Sequence, residues 1–151
     1  MSTITEVFGE PIHTYTRAQA IADGVLVDVT DREAGGREAG LPWPVAMTAR
    51  AFADTVAWVE GPEGNVEARK PYAGQSEAGR LWDVLMVARA FALRRARAQA
   101  QQRGAAAVSF TVYRVPATGR GIMPRPTTLV LRLGLDDDGS PVVTITLPDE
   151  D

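Results

Sequence analysis

The chain has 151 residues, a formal net charge of −3 and no cysteine. It carries 15 Arg, one Lys (Lys70) and one His (His13). These counts exclude a disulfide framework, a thiolate metal site and a cysteine nucleophile, and they leave little room for imidazole chemistry. With 45% hydrophobic and 23% charged residues the composition is globular. The length fits one domain over residues 1–151, able to bury roughly 68–70% of its unfolded surface without a metal. No apolar run approaches the ~18 residues of a membrane span. The N-terminus, MSTITEVFGEP, lacks the charged-then-apolar pattern of a secretory signal. A soluble, cytoplasmic protein with no membrane contact is expected. The arginine excess accompanies 23 Ala, 14 Gly and 10 Pro. GC-rich codons produce that bias, so Arg in place of Lys is not a sign of phosphate recognition.

Residues 1–11 read as irregular. Thr16-Arg17-Ala18-Gln19 fits a capping box, opening a short helix over Ala18–Asp23 that Gly24 closes in a left-handed cap. Val25–Val29 is β-branched and predicts a strand. Residues 31–44 hold three Gly and two Pro and predict a loop. A second helix is expected from about Thr48 to Glu60, because Phe52, Val56 and Val59 recur at helical spacing, with Gly61-Pro62 as its stop. Residues 61–75 form a polar connector. The longest helix is expected over Ser76–Gln102. Leu81, Val84, Leu85, Ala88, Phe91 and Ala92 share one sector. Trp82, Met86 and Leu93 form a second sector roughly opposite. Its second half carries arginines pointing in scattered directions. Three strands follow, around Ser109–Tyr113, Thr128–Leu135 and Val142–Leu147, each alternating with period two. Asp136–Ser140 gives a hairpin turn between the last two. The predicted fold is therefore α+β: an antiparallel β-meander with helices packed on its leucine face, a long central helix, and the strand near Val27 as a candidate addition to the sheet.

Charge is segregated along the chain. Residues 84–135 carry nine arginines and no acidic residue, a charge of +9, while the remainder carries −12. Either this segment attracts an anionic partner, or the acidic flanks neutralise it.

Two blocks, YTRAQAIADGVLVDVT (Tyr15–Thr30) and GQSEAGRLWDVL (Gly74–Leu85), are followed by the basic helix and the strand FTVYRVP. In that order they resemble a family of small bacterial proteins of unknown function carried on plasmids and other mobile elements. The resemblance runs from about Phe8 to Leu147. It implies a mobile-element accessory protein; such proteins travel with anti-restriction and other anti-defence genes, so inhibition of a host defence is an expectation from that context, and the resemblance supplies no catalytic residues.

No catalytic residue, metal site or cofactor is expected. His13 lacks an evident nucleophile or orienting carboxylate. Asp28 in an apolar strand is either a functional acid, a buried partner for an arginine, or exposed if the valines face inward. Arg80 and Asp83 are spaced to interact across one turn, and Trp82 fits either the core or an interface. Trp43, between two prolines in a loop, is an interface candidate because no periodicity places it there. The loop Gly119–Pro126, with Arg120 and Arg125, could form an anion nest. Arg94, Arg95, Arg97 and Tyr113 complete the candidate binding set. The expected function is a non-enzymatic accessory protein that binds another protein, with nucleic-acid binding through residues 84–135 as the alternative. An enzyme using carboxylates and arginines is the third reading.

Overall fold

The computed structural model describes residues 15–69 and 76–150. His13 and Lys70 lie outside them. Thr16 builds the expected capping box, its hydroxyl accepting from the Gln19 amide and the Gln19 side chain from the Thr16 amide, at the head of α1 (Arg17–Ala22). Gly24, at φ +77°, turns the chain into β1 (Leu26–Asp28). After the loop come β2 (Val45–Thr48), α2 (Ala49–Thr55) and α3 (Val66–Arg69). Ser76 caps the long helix, whose parts are α4 (Glu77–Val87), a π segment (Ala88–Leu93) and α5 (Arg94–Arg103). Strands β3 (Ala106–Arg114), β4 (Arg125–Leu135) and β5 (Pro141–Thr146) complete one sheet in the order β1-β2-β5-β4-β3.

The meander β3-β4-β5 is antiparallel, as the alternation requires. Leu129, Leu131 and Leu133 face the helices, with Val108, Phe110 and Val112 beside them on β3 and Val143 and Ile145 on β5. Leu135, expected on the same face, is 66% exposed because the strand overruns the helix there. The strand near Val27 does join the sheet, through β2, which pairs antiparallel with β1 and parallel with β5. β2 departs from the expected loop-to-helix passage. Its four residues are all buried, since the strand is covered on both faces. Such a strand shows no alternation for a sequence pattern to detect.

The long helix contains the second departure. Leu93, expected opposite the core sector, is buried, and Phe91, expected within it, is 68% exposed. The π segment explains both. A straight helix turns about 100° per residue, so residues four apart drift by about 40°. Over Val84, Ala88, Ala92, Ala96 and Ala100 that drift would carry the last of them far round the helix. The wider π turn advances less per residue and cancels part of the drift. Ala88, Ala92 and Ala96 thus stay fully buried in one line, and their small side chains let the helix lie close on β3 and β4.

The helix is tied to the sheet by two buried arginines. Arg80, fully buried, donates from Nε to the Val56 carbonyl and from Nη1 to the Val115 carbonyl, both at 3.0 Å, with its guanidinium 5.2 Å from the Trp58 ring centroid. Arg114 donates from Nη1 to the carbonyls of Thr55 (3.2 Å) and Arg80 (3.1 Å), and from Nη2 to Asp83 Oδ2 at 3.3 Å. Thr55 and Val56 end α2, where carbonyls lack intrahelical partners. The guanidinium groups supply the missing donors and place positive charge at the helix's negative end. α2 accordingly stops at Thr55, short of the expected Glu60. Asp83, expected to pair with Arg80, pairs with Arg114 instead. Burial and then the Arg114 charge pull Arg80 down to about 10, which still leaves it charged at neutral pH.

Removing the Arg80 side chain orphans two buried carbonyls, each costing about 1–3 kcal/mol. Arg80→Ala is expected to lower unfolding free energy by about 3 kcal/mol or more in urea melts. Arg80→Lys should recover little of it, because a single ammonium cannot span both carbonyls.

Candidate functional site

Trp43 is placed by the loop between β1 and β2. Asp28, exposed on β1, accepts from the amide and hydroxyl of Thr30 at 3.0 and 2.7 Å. Thr30 Oγ1 in turn accepts from the Val45 amide at 2.9 Å. Asp28 is therefore a brace at the mouth of the loop, not a buried acid. The Gly36 and Arg37 amides donate back to Val29 and Thr30. Gly35 is required here, since a Cβ would sit 2.3 Å from the Val29 carbonyl oxygen. Further on, Gly40 at φ +86° lies against the Arg89 guanidinium, whose carbon is 3.2 Å from where a Cβ would be.

The same flank of the long helix carries Arg97, whose guanidinium stands 5.3 Å from the Trp43 ring centroid. A cation over an aromatic face is held by the ring quadrupole. Together they form one wall of an open cavity of about 310 Å³, closed by Ala100, Gly104, Leu133 and Leu135. The acidic hairpin tip, Asp136–Asp138, follows directly on Leu135. Its Asp138 carboxylate accepts from the Ser140 amide and hydroxyl, which hold it below the usual carboxylate range. The cavity thus lies between the arginine helix and a cluster of carboxylates.

Of the nine arginines in residues 84–135, five are exposed on the long helix: Arg89, Arg94, Arg95, Arg97 and Arg103. None makes an ion pair among the described residues. Two are engaged internally. Arg114 belongs to the buried clamp, and half-buried Arg132 donates to Thr146 Oγ1 and the Glu150 carbonyl. No acidic side chain among the described residues lies within ion-pair distance of these five helix arginines.

The remaining candidates lie elsewhere. Tyr113, 65% exposed, pairs with Pro126 at the far end of β3, and Arg125 is opposite Arg114 there. Eight residues of strand, about 27 Å, separate this end from the start of β3 by the cavity. The Gly119–Pro126 loop is pinned by buried Asn65, which donates to the Pro116 and Gly121 carbonyls at 2.8 Å. The Gly121 amide donates to Glu67 Oε2, and Arg120 lies 3.9 Å from the same carboxylate. A carboxylate of the chain itself occupies the place an external anion would take. Trp82 is 39% exposed on the outer face of the long helix. The structure therefore joins Trp43 with Arg97, adds Arg94 and Arg95 on the same helix, and sets Tyr113, Arg120 and Arg125 apart. Among the described residues no group of three or more His, Asp or Glu is arranged to hold a metal, and no helix is long and apolar enough to cross a membrane.

Sequence reasoning missed the buried role of Arg80 and Arg114. Strand parity carries a signal for the second: Arg114 shares the inward face of Val108, Phe110 and Val112.

Arg97→Gln removes the cation from the Trp43 face. A loss of about 0.5–1 kcal/mol is expected in urea unfolding, the range for an exposed cation–π pair. In 5-fluorotryptophan-labelled protein the Trp43 resonance should shift, with those of Trp58 and Trp82 unmoved.

No curated protein and no solved structure matches this chain. A family model matches residues 5–151, nearly the whole length, and the chain belongs to that family of unknown function, DUF6573.

Proposed function

We propose that this protein is a non-enzymatic accessory protein of a mobile genetic element that acts by binding an acidic protein partner, with interference in a host defence system as its setting and the cytoplasm as its location. One observation carries this reading: five exposed arginines on one rigid helix have no ion pair among the described residues, beside a cavity walled by Trp43 and Arg97. Unpaired like charges on a helix repel one another, and an acidic partner surface relieves that repulsion and steers association. The aromatic and apolar walls offer a seat for a partner side chain next to those charges, and Trp and Arg are the residue types enriched at interface hot spots. The resemblance to mobile-element proteins supplies the biological setting.

Nucleic-acid binding is supported less well. The nine arginines do not form one track, because two are engaged inside the fold and two lie at the far end of β3.

Affinity capture from host lysate, with wild type and the triple variant Arg94→Glu/Arg95→Glu/Arg97→Glu compared, tests the reading. The wild type is expected to retain a specific protein partner, nuclease-resistant and released by salt. The variant should lose about tenfold or more in affinity while keeping its melting temperature within a few degrees. Identical capture by both proteins, or capture abolished by nuclease, would overturn it.

A further inference from the structure

The sheet order leaves β3 with a single neighbour. The phase of its hydrogen bonding is fixed by three contacts. Tyr113 lies opposite Pro126, which has no N–H, so the pair is non-hydrogen-bonded and the Tyr113 backbone groups point away from β4. On that outer side the Tyr113 carbonyl accepts from Arg114 Nε at 2.9 Å. At the other end the Ala107 amide donates to Gln99 Oε1 at 3.3 Å. Ser109 and Thr111 have the same parity, so their N–H and C=O groups also face outward, and nothing among the described residues engages them.

Sheets ordinarily blunt such an edge with a lysine, a proline, a bulge or a very short strand. β1, the opposite edge, is three residues long. β3 has nine residues, about 30 Å of strand, and Ala106–Tyr113 contains no charge and no proline.

The long helix runs along this edge. Asp83 meets Arg114 at one end of β3 and Gln99 meets Ala107 at the other. Val87, Phe91 and Arg95 lie between them at four-residue spacing on the same ridge. Phe91 is exposed, as are Arg95 and, one turn beyond Gln99, Arg103. A strand added to β3 would therefore run beside one large apolar side chain and two unpaired cations.

We infer that the outer edge of β3 receives an extended acidic segment of a partner protein by strand addition. The inference rests on the protein-binding reading above and specifies its contact. Main-chain bonds to Ser109 and Thr111 provide the hold. Carboxylates opposite Arg95 and Arg103, and an apolar side chain against Phe91, provide the selection. A second copy of this chain fits poorly. β3 brings no carboxylate of its own, and two-fold pairing would set the Arg95 and Arg103 side chains of both copies near one another.

The test follows amide hydrogen exchange by NMR in the full chain, with a synthetic ten-residue peptide of alternating Val and Glu as probe. In the free protein the Ser109 and Thr111 amides should exchange about tenfold or more faster than those of Phe110 and Val112. Saturating peptide should slow Ser109 and Thr111 by about tenfold, and the Val/Lys counterpart should not. Thr111→Pro, which removes an outward amide, should weaken peptide binding about tenfold with the circular dichroism spectrum unchanged. Uniform exchange along free β3, protection elsewhere only, equal binding of the Lys peptide, or a free-protein dimer that protects Ser109 and Thr111 would each overturn the inference. If the edge fails while arginine-dependent capture persists, the protein-binding reading stands without it. Loss of that capture removes the reading itself.

Discussion

Two arginine side chains hold the end of a helix, the end of a strand and the start of the long helix in one place. Arg80 and Arg114 donate to five buried or part-buried carbonyls, those of Thr55, Val56, Arg80, Tyr113 and Val115. The carbonyls of Thr55, Val56 and Val115 belong to points where regular structure stops and the backbone has no ladder partner, while that of Arg80 lies in the first turns of α4. Hydrophobic contact is non-directional and would bring α2, α4 and β3 together without fixing their angles. The planar guanidinium forks fix them. Two like charges this close are tolerated because Asp83 pairs with Arg114 and the Trp58 ring stacks on Arg80. Burying charge is costly even when it is paired, so the gain here lies in placement rather than in net stability.

That placement determines what is exposed. The clamp anchors α4 over the end of β3, and the π segment keeps the alanine line on the sheet for the rest of the helix's length. The ridge next to the alanines is then Asp83, Val87, Phe91, Arg95 and Gln99, laid along the edge of the sheet. The opposite flank carries Arg89 and Arg97 against the loop that holds Trp43. One helix thus serves two surfaces, an open strand edge on one side and an aromatic-walled cavity on the other. π turns recur at functional sites. Here the turn's effect is geometric, since it brings Leu93 inward and leaves Phe91 outside.

Much of the fold was legible in the sequence because local chemistry and tertiary packing agree. The Thr16 capping box, the Ser76 start of the long helix, the alternating leucines of β4 and the Asp136–Ser140 turn all behave as their residue types dictate. The failures have distinct causes. β2 is four residues covered on both faces, so it leaves no period to detect. Leu93 and Phe91 were exchanged because a constant 100° turn was assumed through a π segment. Arg80 was legible only as a neighbour of Asp83 one turn away, because a buried arginine has no signature except the partners that other elements supply. For the site, Trp43 and Arg97 were legible separately, one as an unforced loop aromatic and one as part of a one-sign segment. Their meeting was not, because Gly40 sets the loop against Arg89, far along the chain. The open edge of β3 follows only from strand order, which alternation does not specify.

The central claim is that the edge of β3 and the overhanging helix ridge form one protein-binding surface. Photo-crosslinking in host cells tests it most directly, with p-benzoylphenylalanine placed singly at Phe91, Tyr113 and, as an exposed control beside β1 at the opposite edge of the sheet, Val25. The account predicts crosslinks from Phe91 and Tyr113 into the same acidic, extended segment of one partner, with none from Val25. Crosslinks from Val25 alone, or from Phe91 and Tyr113 to unrelated segments, would contradict it.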